Sequence, residues 1–190
     1  MGNDGGSVVK RKDLVVKSVR EKVDLGDLWS VCSLSGRVLE DPVVSDWQGK
    51  LYNKEAVLEL LIGERSSDTC DIKSIKDVAE LNRTFDSTLW VCPVSRLDIV
   101  KEGDGRHVVH IVTCGHCGER EAVVVGEKCV VCGSDASDLT VVPLNPKSLD
   151  RVKSRLDHLK QKGLTHSLAK SRKRRRTSQT KSKRLKDYVQ

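Results

Sequence analysis

The stretch TCGHCGEREAVVVGEKCVVCGS, residues 113–134, decides the fold. It holds four of the seven cysteines and one of the five histidines in a chain of 190 residues. A structural zinc takes four ligands in a tetrahedron, from Cys sulfur or His nitrogen. Two close pairs supply them most economically. Cys129 and Cys132 form a C-x-x-C pair. The other pair comes from Cys114, His116 and Cys117. Cys114-x-His116 sets both side chains on one side of a turning chain, and the run from His116 to Cys129 leaves room for a short helix and a return. The spacing assigns Cys114, His116, Cys129 and Cys132 to one zinc ion. Pairing Cys114 with Cys117 is the alternative.

A cross-brace fold would bind a second zinc. Cys92 could open that site, but Ser95 occupies its C-x-x-C partner position. His107, His110 and Cys117 are the other candidates, and they form no close pair. The expectation is therefore a single zinc, with Cys92 a buried thiol or a marginal ligand. Cys32 and Cys70 are expected in the core as small hydrophobes, away from any knuckle.

Outward from the zinc stretch, Cys32-Ser-Leu-Ser and Cys92-Pro-Val-Ser repeat one form. Each opens a unit of Cys, turn, strand, Gly turn, strand, which points to an internal duplication. In the first unit Val43-Val44 is extended, Trp47-Gln48-Gly49 is a hairpin tip, Asn53 is a helix N-cap, and Gly63 stops the helix. Its expected core is Val43, Tyr52, Val57, Leu60, Leu61, Ile72 and Ile75. In the second unit residues 107–114 read as a strand, while 118–126 fits a short helix or an extended piece equally. Asn145-Pro146 reads as an N-cap and first turn. Leu149, Val152, Leu156 and Leu159 then make one helical stripe ending at Gly163.

Apolar residues are 37% of the chain but aromatics only 3%, so two small modules are expected rather than one large core. No apolar run approaches the roughly 18 residues of a membrane span, and no secretory signal pattern opens the sequence. Clustered cysteines then fit metal ligands in a reducing compartment better than disulfides. From Lys147 onward the formal charge is +13, against +7 for the whole chain, which leaves −6 on residues 1–146. The basic run KSRKRRR, with Lys170, Arg172, Lys173, Arg174, Arg175 and Arg176, reads as a nuclear import signal and a weak, sequence-independent nucleic-acid contact. Such a composition is expected to be disordered on its own.

The opening MGNDGG, the segments LYNKEAVLELL (51–61) and IKSIKDVAEL (72–81), Cys92-Pro-Val, the Cys114-Gly-His116 box and Cys129-x-x-Cys132 resemble the replication termination factor 2 family over roughly residues 1–160. Asp71 stands where that family commonly has His, and Cys117-Gly118 departs from a more apolar stretch. The resemblance implies an α+β chain of two tandem small RING/U-box-like modules. The expected boundaries are a polar leader (1–29), a metal-free U-box-like module (30–85), a zinc-stabilised RING-like module (86–145), an amphipathic helix (146–163) and a disordered basic tail (164–190). It also implies a nuclear protein at stalled or terminating replication forks, with links to the sliding clamp and to ubiquitin or SUMO machinery, or to the spliceosome. A ubiquitin- or SUMO-ligase is the enzymatic alternative. Val94 and Val131 would then face a conjugating enzyme, yet Gly133 and Ser134 follow the last ligand where active ligases often carry Arg or Lys. Trp47 is either a docking anchor or a residue folded back onto its hairpin.

Overall fold

The computed structural model describes residues 27–63, 70–103 and 106–171. The leader to residue 26, and Arg172 to Arg176 with the rest of the tail, lie outside them.

Three turns share one backbone design. In each, a cysteine N–H donates to the carbonyl five residues on, and the amide four residues on returns to the cysteine carbonyl. These are Cys32 with Arg37 and Gly36, Cys92 with Leu97 and Arg96, and Cys129 with Ser134 and Gly133. The fourth-after residue has positive φ in all three: Gly36 +67°, Arg96 +60° and Gly133 +75°. Only the last turn carries a second cysteine. Cys32, expected far from any knuckle, instead begins one, although it is buried as expected.

Each of the first two turns leads into a hairpin and a helix. Strands β1 (Val43–Asp46) and β2 (Leu51–Asn53) precede helix α1 (Lys54–Ile62), and β3 (Val78–Glu80) pairs with the far side of β1. A second hairpin, β4 (Thr84–Asp86) and β5 (Leu89–Val91), leads to α2 (Ile99–Glu102). Strands β6 (Val108–Ile111) and β7 (Cys117–Glu119) then precede α3 (Arg120–Val123). The small pair β8 (Val124–Val125) and β9 (Lys128–Cys129) follows, and β10 (Val141–Pro143) pairs with the far side of β6. Helix α4 (Asp150–Gln161) closes the set.

The two three-stranded sheets, β2-β1-β3 and β7-β6-β10, correspond bond by bond. Lys54 N–H reaches Pro42 O (3.0 Å) as Arg120 N–H reaches His107 O (2.8 Å). Leu81 N–H reaches Val43 O as Leu144 N–H reaches Val108 O, both at 2.9 Å. The contacts between the sheets are reciprocal. Asn145 N–H donates to Gly49 O (3.0 Å), and Asn82 N–H donates to Gly115 O (2.8 Å). Gly49 and Gly115 hold the same place in their hairpins, at φ +82° and +77°. Both seats are tight: a Cβ on Gly49 would lie 2.1 Å from Pro143 O, and one on Gly115 would lie 3.0 Å from Glu80 O.

The main apolar cluster draws on both sheets, placing Val108, Cys117 and Leu144 with Val43, Leu51, Tyr52 and Val57. Trp29 and Trp90 meet edge to face within it, centroids 6.1 Å apart. The expectation of two small cores thus gives way to one shared core and a smaller cluster around Val109, Ile111 and Val123. A boundary after residue 85 would cut strand β4.

Several local expectations need correction. Asn53 does not cap α1 through its side chain. That side chain accepts from Glu40 N–H and donates to Val38 O, tying down the loop before β1. Ile75 is 43% exposed. Helix α4 starts at Asp150 rather than Pro146, because Asn145 takes φ +43° and spends its amide on Leu28 O. Residues 164–171, assigned by charge to the tail, fold back: His166 is buried, and Ser167 N and Oγ both donate to Lys76 O.

Candidate metal centre

The β6–β7 turn delivers the first two ligands. Ile111 O accepts from Cys114 N–H (3.2 Å) and Gly115 N–H (2.7 Å), and Ile111 N–H donates to His116 O (2.9 Å). Positive φ at Gly115 reverses the chain between Cys114 and His116. The other two ligands come from the third cysteine turn, beginning at the end of β9. Thr113 Oγ1 donates to Asp135 O (2.8 Å) and ties the first ligand loop to the end of the second, while Val130 N–H donates to Val123 O (2.9 Å) and ties the second to α3.

One ligand atom from each of Cys114, His116, Cys129 and Cys132 falls within 4.8 Å of every other. Cys129 Sγ lies 3.6 Å from His116 Nδ1. Zinc bonds of about 2.3 Å to sulfur and about 2.0 Å to nitrogen place ligand atoms roughly 3.5–3.8 Å apart in a tetrahedron, so a small contraction seats the ion. Three sulfurs and one imidazole, all from protein, make a closed structural site rather than an open catalytic one.

The electrostatics fit a cation. Burial pushes the Cys114 thiol up to about 12, with the His116 amide opposing and the Cys132 and Cys129 thiols beside it adding to the rise. Cys132 is exposed, and hydrogen bonds from the Ser134 hydroxyl and amide bring it down to about 6. Thiolates crowded together repel, and a divalent ion reverses that balance.

The remaining candidates fall elsewhere. Cys117 is fully buried, pushed up to about 12 by that burial, and its thiol faces Asn82 O at 3.7 Å. It points into the shared core, away from the four ligands. In the Cys92 turn, burial raises the thiol, but hydrogen bonds from Ser95, Val94 and Glu119 outweigh it and leave the group below its ordinary range. Cys32 behaves alike with Ser35 and Asn53. In both of these serine-bearing turns the sulfur is held by hydrogen bonds. Val94 and Val131 are each 43% exposed, Trp47 is half-buried, and Lys170 lies in the folded return.

Sequence reasoning missed a buried polar node. Ser45 Oγ meets His110 Nδ1 (3.2 Å), and the His110 and His166 rings lie 6.2 Å apart. Arg155 donates to Leu139 O (2.8 Å), His166 Nδ1 (3.0 Å) and His166 O (3.3 Å). The node joins β1, β6, α4 and the return at 166. Its signal was a polar residue inside each of the strands VVSD and VVHI, whose every residue is buried.

The family described as Rtf2 RING-finger matches residues 1–189. Splicing factor rtf2 of Schizosaccharomyces pombe is 35% identical over 192 residues, which cover 92% of this chain and 78% of that protein. Replication termination factor 2 of Bos taurus is 30% identical over 218 residues, covering 96% and 70%. The Homo sapiens protein of that name is 30% identical over 192 residues, covering 83% and 61%. Together with the Cys/His cluster, these matches identify the resemblance seen in the sequence: the chain belongs to the Rtf2 RING-finger family.

Proposed function

We propose that this chain is a nuclear, zinc-binding adaptor built of two tandem RING/U-box-like modules, of which only the second holds metal. The observation that carries this reading is the set of three like turns: one has both cysteines and joins Cys114 and His116, while two have serine in place of the second cysteine. The bond-by-bond correspondence of the two sheets supports the duplication. Zinc here stabilises the fold, and function lies in docking proteins at stalled or terminating replication forks. Contacts with the sliding clamp and with ubiquitin or SUMO machinery belong to the same proposal, as does weak nucleic-acid binding by the basic tail. Relatives named for replication termination and for splicing support a nuclear site of action. Among the described residues no helix is long and apolar enough to cross a membrane.

Proximity labelling in cells, with and without replication stress, tests this. Fork proteins enriched under stress are the expected result; labelling confined to spliceosome components would favour the splicing reading, which the similarity to splicing factor rtf2 recommends. Ligase activity is the weaker alternative. Exposed Val94 and Val131 suit a conjugating-enzyme surface, but Ser134, next but one after the last ligand, is engaged with Cys132 Sγ at 3.1 Å and brings no cation. A reconstituted ubiquitin- or SUMO-chain assay decides it.

A further inference from the structure

The outer edge of β3 is open in a way its counterpart is not. The register pairs Val44 with Glu80, Ser45 with Ala79 and Asp46 with Val78, and Leu81 N–H bonds to Val43 O. Bonded pairs alternate along an antiparallel ladder, so Ala79 bonds to β1 while Val78 and Glu80 turn their N–H and C=O groups outward. Just beyond the strand on either side, the row is already engaged. Lys76 O accepts from Ser167 N (3.2 Å) and Ser167 Oγ (2.8 Å), and Asn82 N–H donates to Gly115 O (2.8 Å). Glu80 O is sheltered by Gly115. Among the described residues, Val78 N–H, Val78 O and Glu80 N–H have no hydrogen-bond partner between these two anchors.

A cleft of about 620 Å³ lies over the gap, between the ligand loop at Thr113–Gly115 and the return at Ser167. On the matching strand β10 the edge is closed: Val141 N–H bonds to Ser137 O (3.0 Å), and Pro143 has no N–H and packs its carbonyl on Gly49. Proteins generally blunt such edges, because an open one is a template for another strand.

Charge narrows the occupant. Lys54 and Lys76 line the gap together with Glu80, which pairs with Lys54 at 2.7 Å and leaves Lys76 as the cation without a carboxylate partner among the described residues. Among the described residues, Lys76 Nζ finds Lys170 O alone, at 3.3 Å. The chain's own basic tail has the wrong sign. We propose that the outer edge of β3 is a docking slot in which a short, extended, acidic peptide segment of a partner protein adds a fourth strand to the β2-β1-β3 sheet. The slot deepens the adaptor reading and rests on it for its biological role. Main-chain bonds would supply affinity, and the lysines would select acidic side chains.

The test is selection of random dodecapeptides on the zinc-loaded full chain, with excess free peptide 172–190 present to remove sequences held by the tail. Binding is then measured by fluorescence anisotropy to wild type and three variants. Glu80→Pro deletes the outward N–H but no bond to β1. Glu80→Ala keeps that N–H and loses only the carboxylate. Lys76→Glu reverses a rim charge. Acidic peptides should be selected, bind Glu80→Ala at least as well as wild type because Lys54 is freed, and bind Glu80→Pro about tenfold more weakly than Glu80→Ala, as expected for one lost hydrogen bond. Lys76→Glu should weaken them as well. A selection that yields no peptide, peptides without acidic residues, or equal binding to the Pro and Ala variants would overturn the slot. Should Glu80→Pro melt early, amide exchange on wild type decides: bound peptide must protect Val78 and Glu80, and unprotected amides refute the proposal. Failure here leaves docking elsewhere on the chain untouched, which the labelling experiment reads separately.

Discussion

Gly49→Ala tests whether the two sheets are held by their reciprocal hairpin contacts. The substitution has two costs. One is positive φ at +82°, which charges an L-residue about 1–2 kcal/mol. The other is contact: the new Cβ would lie 2.1 Å from Pro143 O and 3.1 Å from Pro143 C. Both are backbone atoms, so the hairpin or β10 must move, and overpacking of this kind costs about 1–3 kcal/mol. Movement also breaks the Asn145 N–H to Gly49 O bond, worth about 1 kcal/mol. The sum is about 3–6 kcal/mol. Gly36→Ala is the control, because Gly36 has φ +67° and nothing within 4 Å of its Cβ position. It bears only the first cost. For a fold of this size, 1 kcal/mol shifts Tm by about 2–4 °C. Thermal melts followed by circular dichroism should lower Tm by about 2–8 °C for Gly36→Ala, and for Gly49→Ala by at least about 4 °C more. Equal shifts would show that the sheets do not press on each other at Gly49.

Two further outcomes follow from the buried node. Arg155→Leu leaves Leu139 O, His166 Nδ1 and His166 O without a donor, at about 1–3 kcal/mol per orphaned group, so urea denaturation should show a loss of about 3 kcal/mol or more; a change under 1 kcal/mol would mean that water replaces the guanidinium. Burial, then Arg155, brings His110 down to about 3, so between pH 6.5 and about 3 the unfolded chain binds a proton that the folded chain refuses, and stability is lost as pH is lowered, by up to about 1.4 kcal/mol per unit. His110→Asn should flatten the wild-type slope by about that amount between pH 6 and 5, measured by urea denaturation; an unchanged slope would place the His110 proton elsewhere.

The clustering of Cys114, His116, Cys129 and Cys132 was legible because both pairs are local in sequence and their turns are set by nearby glycines, Gly115 and Gly133. The Gly49 hairpin tip and the stripe Val152, Leu156 and Leu159 were legible for the same reason, since spacing fixes which side chains share a face, although Leu149, read as the first member of that stripe, sits just before α4 at its N-cap. What escaped depends on residues far apart. Asn53 looks like a cap until Val38 and Glu40 arrive to claim its amide. The short stretch LTHSLAK, 164–170, looks like the start of a basic tail. Nothing local shows that Lys76 O and Arg155 wait for Ser167 and His166. Cys32 was read as a core residue far from any knuckle, yet a hydrogen bond from Ser35 N–H to its sulfur helps close a knuckle-like turn there.

Zinc content and coordination of the purified full chain test the central claim most directly. Metal analysis should find one zinc per chain. X-ray absorption at the zinc edge should show three sulfurs at about 2.3 Å and one nitrogen at about 2.0 Å. Cys117→Ser should leave that spectrum unchanged, and His116→Ala should remove its nitrogen. Two zinc ions per chain, no zinc, or a four-sulfur shell that loses a sulfur in Cys117→Ser would contradict the assignment of Cys114, His116, Cys129 and Cys132.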